Sequence, residues 1–363
     1  MNSKDEEKEN KTLLHSQVKV QDSQERISAK DLLAQFAGRR KTSNYDLHPE
    51  KIKKIVQGRI LFQESLAKYT TLKVGGPAEA LVFPTDREDF CRILAYAESE
   101  KIPVFMLGGG SNVLVREGGI RGITICLREG LTKVEEIPRP DFAPEDTKDH
   151  HLFFQVEAGV SLPRLMRQMS WKGFSGLEGL AGVLGLVGGA LAGNAGTRHG
   201  QMGDLVVSIN TINRAGQRKT FLKDQLAFEY RALKLDRQWI FLDCILRLSK
   251  DDPEMTRTKV KKYLDYRQKT QPLNFPNCGS IFKNPFGQKS PSAGELIDRQ
   301  GLKGVRLRGA KFSEIHANWI INLGNANAND VFQLIQMAKD QIKEAEDIVL
   351  EPEIKIVGEY GKD

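Results

Sequence analysis

Residues 176–200 read GLEGLAGVLGLVGGALAGNAGTRHG, and an apolar run interrupted this often by glycine restricts the fold more than any other stretch of the chain. Its composition suits a helix, yet each glycine in a helix interior costs about 1 kcal/mol relative to alanine. Gly182, Gly185, Gly188, Gly189, Gly193 and Gly196 therefore imply close backbone approach, either to another chain segment or to a ligand. Close helix packing is the plainer alternative, and spacing alone does not separate the two. Residues 179–193 are also the longest nearly uncharged apolar run, shorter than the roughly 20 residues of a membrane span. An integral membrane protein is not expected.

A shorter cluster lies upstream. Residues 80–83 (ALVF) read as a strand ended by Pro84, residues 86–100 as a helix with Phe90, Ile93, Leu94 and Ala97 on one face, and residues 103–107 as a second strand. Such a unit makes parallel strand pairs. Gly108-Gly109-Gly110-Ser111-Asn112 follows at once. In a Rossmann-type fold or a Walker A loop the glycine turn opens a helix. Here it opens the strand Val113-Leu114-Val115, with another strand at 123–127, so neither motif fits. What remains is a run of bare backbone N–H groups able to curl around an anion without a helix dipole, or simply a tight turn.

Length and charge narrow the rest. A chain of 363 residues suggests two or three domains. The net charge is +7, and the first 58 residues, with 12 basic and 9 acidic groups, hold three of that surplus. No basic stripe emerges, so nucleic acid is not expected as a partner; small anions suit a mild surplus as well. Residues 1–45 are polar and nearly free of aromatics, which predicts a mobile extension, with helical patterns at 28–37 and after Pro49. The N-terminus lacks the apolar stretch of a secretory signal, and Cys91, Cys126, Cys244 and Cys278 are scattered, so a reducing cytoplasm is expected. His150-His151 lacks carboxylate or cysteine partners at ligand spacing and reads as a solvated loop; no metal is expected. Strands are predicted at 205–213 and 240–248 with Tyr230-Arg231 in a loop between them, a boundary at Asp252-Pro253, a basic helix at 256–269, a final helix from Asp330 and a last strand at 354–357.

Several motifs stand in one order: YTTLKVGGPAEA from Tyr69, LGGGSNVLV from Leu107, GVLGLVGGALAGNAG from Gly182, YR at Tyr230, PNCGSIFKNP from Pro276, HANWIIN from His316 and LEPEIKIVG from Leu350. The ordered set resembles the UDP-N-acetylenolpyruvoylglucosamine reductase family, from about Asp46 to the end. The resemblance implies an α+β architecture: a two-part FAD-binding region of PCMH type and a C-terminal α+β substrate domain. Residues 46–127, with the last strand at 354–360, would form the first FAD subdomain, 128–252 the second, and 253–353 the substrate domain. FAD would lie against Gly75, Gly76, Gly108, Gly109, Gly110, Ser111, Asn112, Gly182, Gly185, Val187, Gly188, Gly189 and Asn194. The chain departs from the family where G-I-P-G-S/T-V-G-G becomes GVLGLVGG, losing a proline and the hydroxyl at Leu186, and where Thr197-Arg198-His199 replaces the usual Ala-Tyr.

Chemistry and resemblance together assign roles. Reducing an electron-poor double bond requires a hydride carrier, which no side chain supplies. The resemblance implies that NADPH reduces FAD, which then reduces an enolpyruvyl ether on a UDP-sugar during peptidoglycan precursor synthesis. Arg231 matches the arginine that holds the developing enolate, since a guanidinium grips a carboxylate with two parallel hydrogen bonds. A second Tyr-Arg pair, Tyr266-Arg267, sits on the basic helix and does not match the motif. Ser280 matches the proton donor, with Lys283 as a neighbour for its alkoxide, and Glu353 matches the catalytic glutamate, for which a raised pKa is expected. Tyr230, Lys283 and Asn284 are candidates for substrate contact, and His316 for a packing or substrate-edge residue rather than a catalyst. The 49 positions from Arg231 to Ser280 resemble the shorter family version, which lacks an inserted tyrosine loop. A flavin oxidase with another acceptor, or a non-catalytic nucleotide-sugar or nucleic-acid binder, are the alternatives.

Overall fold

The computed structural model describes residues 45–143, 151–286 and 291–361. The expected extension at 1–45, apart from Tyr45, and His150 lie outside them. Helix α1 (Pro49–Ile55) starts at the proline, whose fixed φ suits a first helical turn. Strands β1 (Arg59–Ser65) and β2 (Pro77–Phe83) follow, then helix α2 (Arg87–Ser99), whose Asp86 carboxylate caps the Asp89 N–H at 2.8 Å. The face of α2 made by Phe90, Ile93, Leu94 and Ala97 is buried, as its spacing predicts. Strands β3 (Val104–Leu107), β4 (Val113–Val115) and β5 (Ile120–Cys126) complete this portion. The sheet order is β1-β2-β5-β3. The predicted strands on either side of α2 therefore share a sheet and a direction, with β5 inserted between them.

The second portion is an antiparallel sheet. Strands β6 (Val134–Ile137) and β7 (His151–Glu157) precede helix α3 (Leu162–Trp171), and the glycine-rich run contains a six-residue helix, α4 (Val187–Ala192). Then come β8 (Val206–Ile212), β9 (Arg218–Leu222), the small hairpin β10 (Ala227–Glu229) and β11 (Ala232–Lys234), and the long β12 (Ile240–Lys250). The order is β9-β8-β12-β7-β6. Leu165, Met169, Val187 and Leu191 pack with Val156, Ile209 and Leu246 in the core beneath it.

Helix α5 (Pro253–Thr270), capped by Asp252, leads to the third portion. There β13 (Asn277–Ser280), helix α6 (Ala293–Arg299), β14 (Arg306–Leu307), β15 (Ala310–Phe312), β16 (Trp319–Asn322) and helix α7 (Ala328–Glu346) form a second α+β layer, with sheet order β13-β16-β15-β14. Helix α7 begins two residues earlier than expected because Asn327 and Asp330 cap each other reciprocally, at 2.8 and 3.1 Å. The last strand, β17 (Lys355–Val357), returns to pair in parallel with β4.

The seam between first and third portions is tightly knit. Leu72, Val74 and Leu114 belong to the core of the C-terminal layer, among Ile281, Phe282, Leu296 and Ile354. Thr71 Oγ1 donates to the Asn277 carbonyl at 2.6 Å, and Asn322 Nδ2 to the Leu72 carbonyl at 3.0 Å. These contacts bring the glycine turn after β3 alongside β13 and the segment before β17.

Candidate active site

The two glycine clusters face each other. A Cβ on Gly109 would fall 2.5 Å from the Gly185 Cα, and one on Gly108 would lie 3.9 Å from the Gly189 Cα. Ser111 Oγ bridges the clusters by donating to the Leu184 carbonyl at 3.0 Å. Among the described residues no acceptor on the chain takes the N–H groups of Gly108, Gly109, Gly110 or Ser111. Gly189 opens onto free space. Beside Gly109 a cavity of about 480 Å³ is walled by Tyr69, Thr71, Lys73, Arg128, Leu184 and Asn277, two of them cationic.

Several expected cradle residues have other duties. Val187 is fully buried, its N–H donates to the Val160 carbonyl at 2.9 Å, and that of Gly188 donates to Ala158 at 2.8 Å, so neither amide faces a ligand. Gly76 is glycine because a Cβ there would strike the Glu117 carbonyl at 2.1 Å, and Gly75, at φ +142°, packs on Val115. Buried Asn194 is saturated by the chain itself: its amide nitrogen donates to Gln201 and to the Glu229 carbonyl at 2.8 Å, and its oxygen accepts from Gly203 N–H at 2.9 Å. It anchors the hairpin rather than meeting the coenzyme. Asn112 Nδ2 donates to the Glu353 carbonyl at 3.2 Å, joining the turn to the segment before β17 that carries a candidate catalytic group. Leu186 is buried where the family has a hydroxyl, and the Ser111 hydroxyl stands close to Gly185 instead.

Three residues far apart in sequence converge next to this cradle. Glu229 pairs with Ala232, leaving Tyr230-Arg231 as the turn between β10 and β11, and Arg231 takes a left-handed backbone, φ +58°. A long side chain seldom adopts that region without a compensating constraint. Arg231 Nε lies 3.0 Å from Glu353 Oε1, with the two side chains 25% and 18% exposed. Residues 351–353 run antiparallel to the end of β13: Lys283 N–H donates to the Glu351 carbonyl at 2.9 Å and Glu353 N–H to that of Ile281 at 2.8 Å, next to Ser280. Burial lifts the Glu353 carboxyl above the usual glutamate range, against the pull of Arg231 and then Lys283.

The substrate candidates divide. Tyr230 is exposed, with the Arg231 guanidinium 5.2 Å from its ring centre. Lys283 Nζ is paired with Glu351 at 2.6 Å rather than with the Ser280 hydroxyl. The Asn284 side-chain oxygen accepts the Ala293 N–H at 3.1 Å, which fixes the amide with its NH₂ available for another partner. His316 packs on Trp319, and burial lowers its pKa, which suits the packing role expected of it. His151 opens β7, and among the described residues no group of three His, Cys, Asp or Glu could hold a metal.

Residues 271–357 match the C-terminal domain of UDP-N-acetylenolpyruvoylglucosamine reductase, and residues 78–221 match an FAD binding domain. The UDP-N-acetylenolpyruvoylglucosamine reductase of Syntrophus aciditrophicus is 38% identical over 312 residues, covering 86% of this chain and 96% of that one. The chain belongs to the UDP-N-acetylenolpyruvoylglucosamine reductase family. The Bacillus pumilus member is 36% identical over 83% of this chain and 95% of its own. The crystal structure of the reductase (MurB) from Thermus caldophilus superposes with a TM-score of 0.65 at 33% identity, covering 83% of this chain and 98% of that one. The fold is thus the two-part FAD-binding region of PCMH type with the reductase family's own C-terminal domain. The glycine cradle fits FAD: adjacent unpaired N–H donors suit a pyrophosphate, and the close backbone approach leaves room that any side chain would fill.

Proposed function

We propose that this member of the reductase family reduces the enolpyruvyl ether of UDP-N-acetyl-3-O-(1-carboxyvinyl)-glucosamine to UDP-N-acetylmuramate, with NADPH as reductant, in the cytoplasmic synthesis of peptidoglycan precursors. The observation that carries the site assignment is the Arg231–Glu353 contact at 3.0 Å, since it joins residues 122 positions apart while the Glu353 backbone pairs with Ile281, the residue after Ser280. When bound, FAD supplies a two-electron relay from NADPH to the methylene carbon of the substrate. The chain supplies the rest. N–H groups of Gly108, Gly109, Gly110 and Ser111 would hold the coenzyme's pyrophosphate, with Gly185 and Gly189 leaving space for it, while the space over Gly182 is taken by the Arg267 side chain. Arg231 holds the substrate carboxylate and the negative charge that grows beside it. Ser280 gives its hydroxyl proton to the carbon bearing the ether oxygen. Glu353, whose carboxyl is lifted above the usual glutamate range by burial, shares a proton with that enolate, which a charged carboxylate would repel. Tyr230 and the Asn284 NH₂ flank the nucleotide sugar, while Lys283 reaches a phosphate only by leaving Glu351.

In domain terms, residues 46–127 with the last strand and 128–252 form the FAD-binding halves, and 253–353 the substrate domain. Among the described residues no helix is long and apolar enough to cross a membrane. The test is NADPH oxidation by the purified, FAD-loaded protein with and without the enolpyruvyl substrate. Substrate-dependent oxidation yielding UDP-N-acetylmuramate is expected. NADPH consumption that is indifferent to the substrate would point to another acceptor and overturn the assignment.

A further inference from the structure

Arg267 lies near the end of α5, and its side chain turns inward while its neighbour Tyr266 stays exposed. The guanidinium lies over Gly182, where a Cβ would come within 2.7 Å of Nε, and Nη1 reaches the Ala181 carbonyl at 3.4 Å. Its Nε is buried without a hydrogen-bond partner, and among the described residues no carboxylate lies within ion-pair distance of it. Burial first, and the charge of nearby Arg231 second, lower its pKa. The charge of Arg231 thus reaches Arg267, and the carboxylate available, Glu353, is already beside Arg231.

Like charges held together out of water require a counter-charge. The amides of Gly108, Gly109, Gly110 and Ser111 have no acceptor on the chain and would serve the pyrophosphate proposed above, so an anion that answers Arg267 together with Arg231 belongs at the reacting end of the cleft. We infer that Arg267 and Arg231 form a two-guanidinium clamp for the substrate carboxylate, an assignment resting on the reduction proposed above. The electron count agrees. After hydride addition the enolate of a carboxylate bears two negative charges, and two guanidiniums present two positive ones. The pair therefore matches the charge that develops better than the charge present at the start.

The test compares two ligands on FAD-loaded enzyme by calorimetry: UDP-N-acetylmuramate, which carries the carboxylate, and UDP-N-acetylglucosamine, which lacks it. Arg267→Met is expected to bind UDP-N-acetylmuramate about tenfold or more weakly, with UDP-N-acetylglucosamine affinity and FAD content unchanged. Equal weakening of both ligands, no weakening, or loss of FAD with discrimination intact would each overturn the inference. If Arg267→Met does not fold, Arg267→Lys provides the same comparison: a point charge without the planar fork is expected to lose part of the discrimination, and unchanged discrimination overturns the clamp. Failure of the unaltered enzyme to bind UDP-N-acetylmuramate at all would instead overturn the proposed reaction, and the clamp with it.

Discussion

In the proposed reduction Ser280, Arg231 and Glu353 divide the work, so Ser280 and Glu353 each have their own signature. Ser280→Ala is expected to leave flavin reduction by NADPH intact while slowing reoxidation by the enolpyruvyl substrate by roughly 10²–10⁴-fold, the usual worth of a positioned proton donor. Stopped-flow absorbance of the two half-reactions checks this, and equal slowing of both would remove Ser280 from the role. Glu353 has its pKa raised by burial, so its neutral form persists to higher pH than an exposed glutamate's. As pH rises through that elevated value the carboxyl ionises, and kcat/KM for the enolpyruvyl substrate is expected to fall. Glu353→Gln, permanently neutral, is expected to flatten this alkaline limb at a lower maximum; an unchanged limb would assign it to another group. These three residues were legible in the sequence because their motifs surround them. Arg267 was visible only as a tyrosine-arginine pair on a basic helix, since nothing in a linear pattern reports that a helix end folds over Gly182.

At the level of elements, the glycine turn after β3 and the hairpin β10–β11 carry the site. Gly109 faces Gly185 so closely that Gly109→Ala must push the two segments apart. Overpacking of that kind costs about 1–3 kcal/mol, and FAD affinity is expected to fall by about tenfold; flavin absorbance per mole of purified protein measures it, and full retention would mean the clusters do not cooperate. The hairpin depends on Asn194, whose side chain holds both Glu229 and Gly203. Asn194→Ala leaves those buried groups unpaired at about 1–3 kcal/mol. A lower melting temperature and slower substrate half-reaction are expected at unchanged FAD content; lost FAD with an intact melting temperature would return Asn194 to the coenzyme. The strand character of Val113-Leu114-Val115 was readable from composition. The duties of Asn194, Val187 and Gly188 were not, because a motif marks where a residue stands and not which of its polar groups the chain itself consumes. Likewise Arg198 and His199 make sense only against α5: His199 stacks on Tyr263 at 4.1 Å and Arg198 lies 4.4 Å from the Tyr266 ring, steadying the helix that bears Arg267.

Over the whole molecule, the arrangement of α2 between parallel strands and the strands near 206–212 and 240–250 followed from periodicity, and the return of the last strand to the first portion from the resemblance; the antiparallel pairing of the former and the choice of β4 as partner of the latter came from the structure. So did the insertion of β5 between β2 and β3, and the entry of Leu72, Val74 and Leu114 into the C-terminal core: both are long-range pairings for which a single sequence holds no register. That seam sets Glu353 near the glycine turn, so coenzyme and substrate halves are joined at the place where electrons must pass. The most direct test is an anaerobic titration of the purified protein followed by visible absorbance. Flavin bands are expected to bleach with one equivalent of NADPH and to return with one equivalent of the enolpyruvyl UDP-sugar. A colourless protein that takes up no FAD, or a bleached flavin that the sugar fails to reoxidise, would contradict the account.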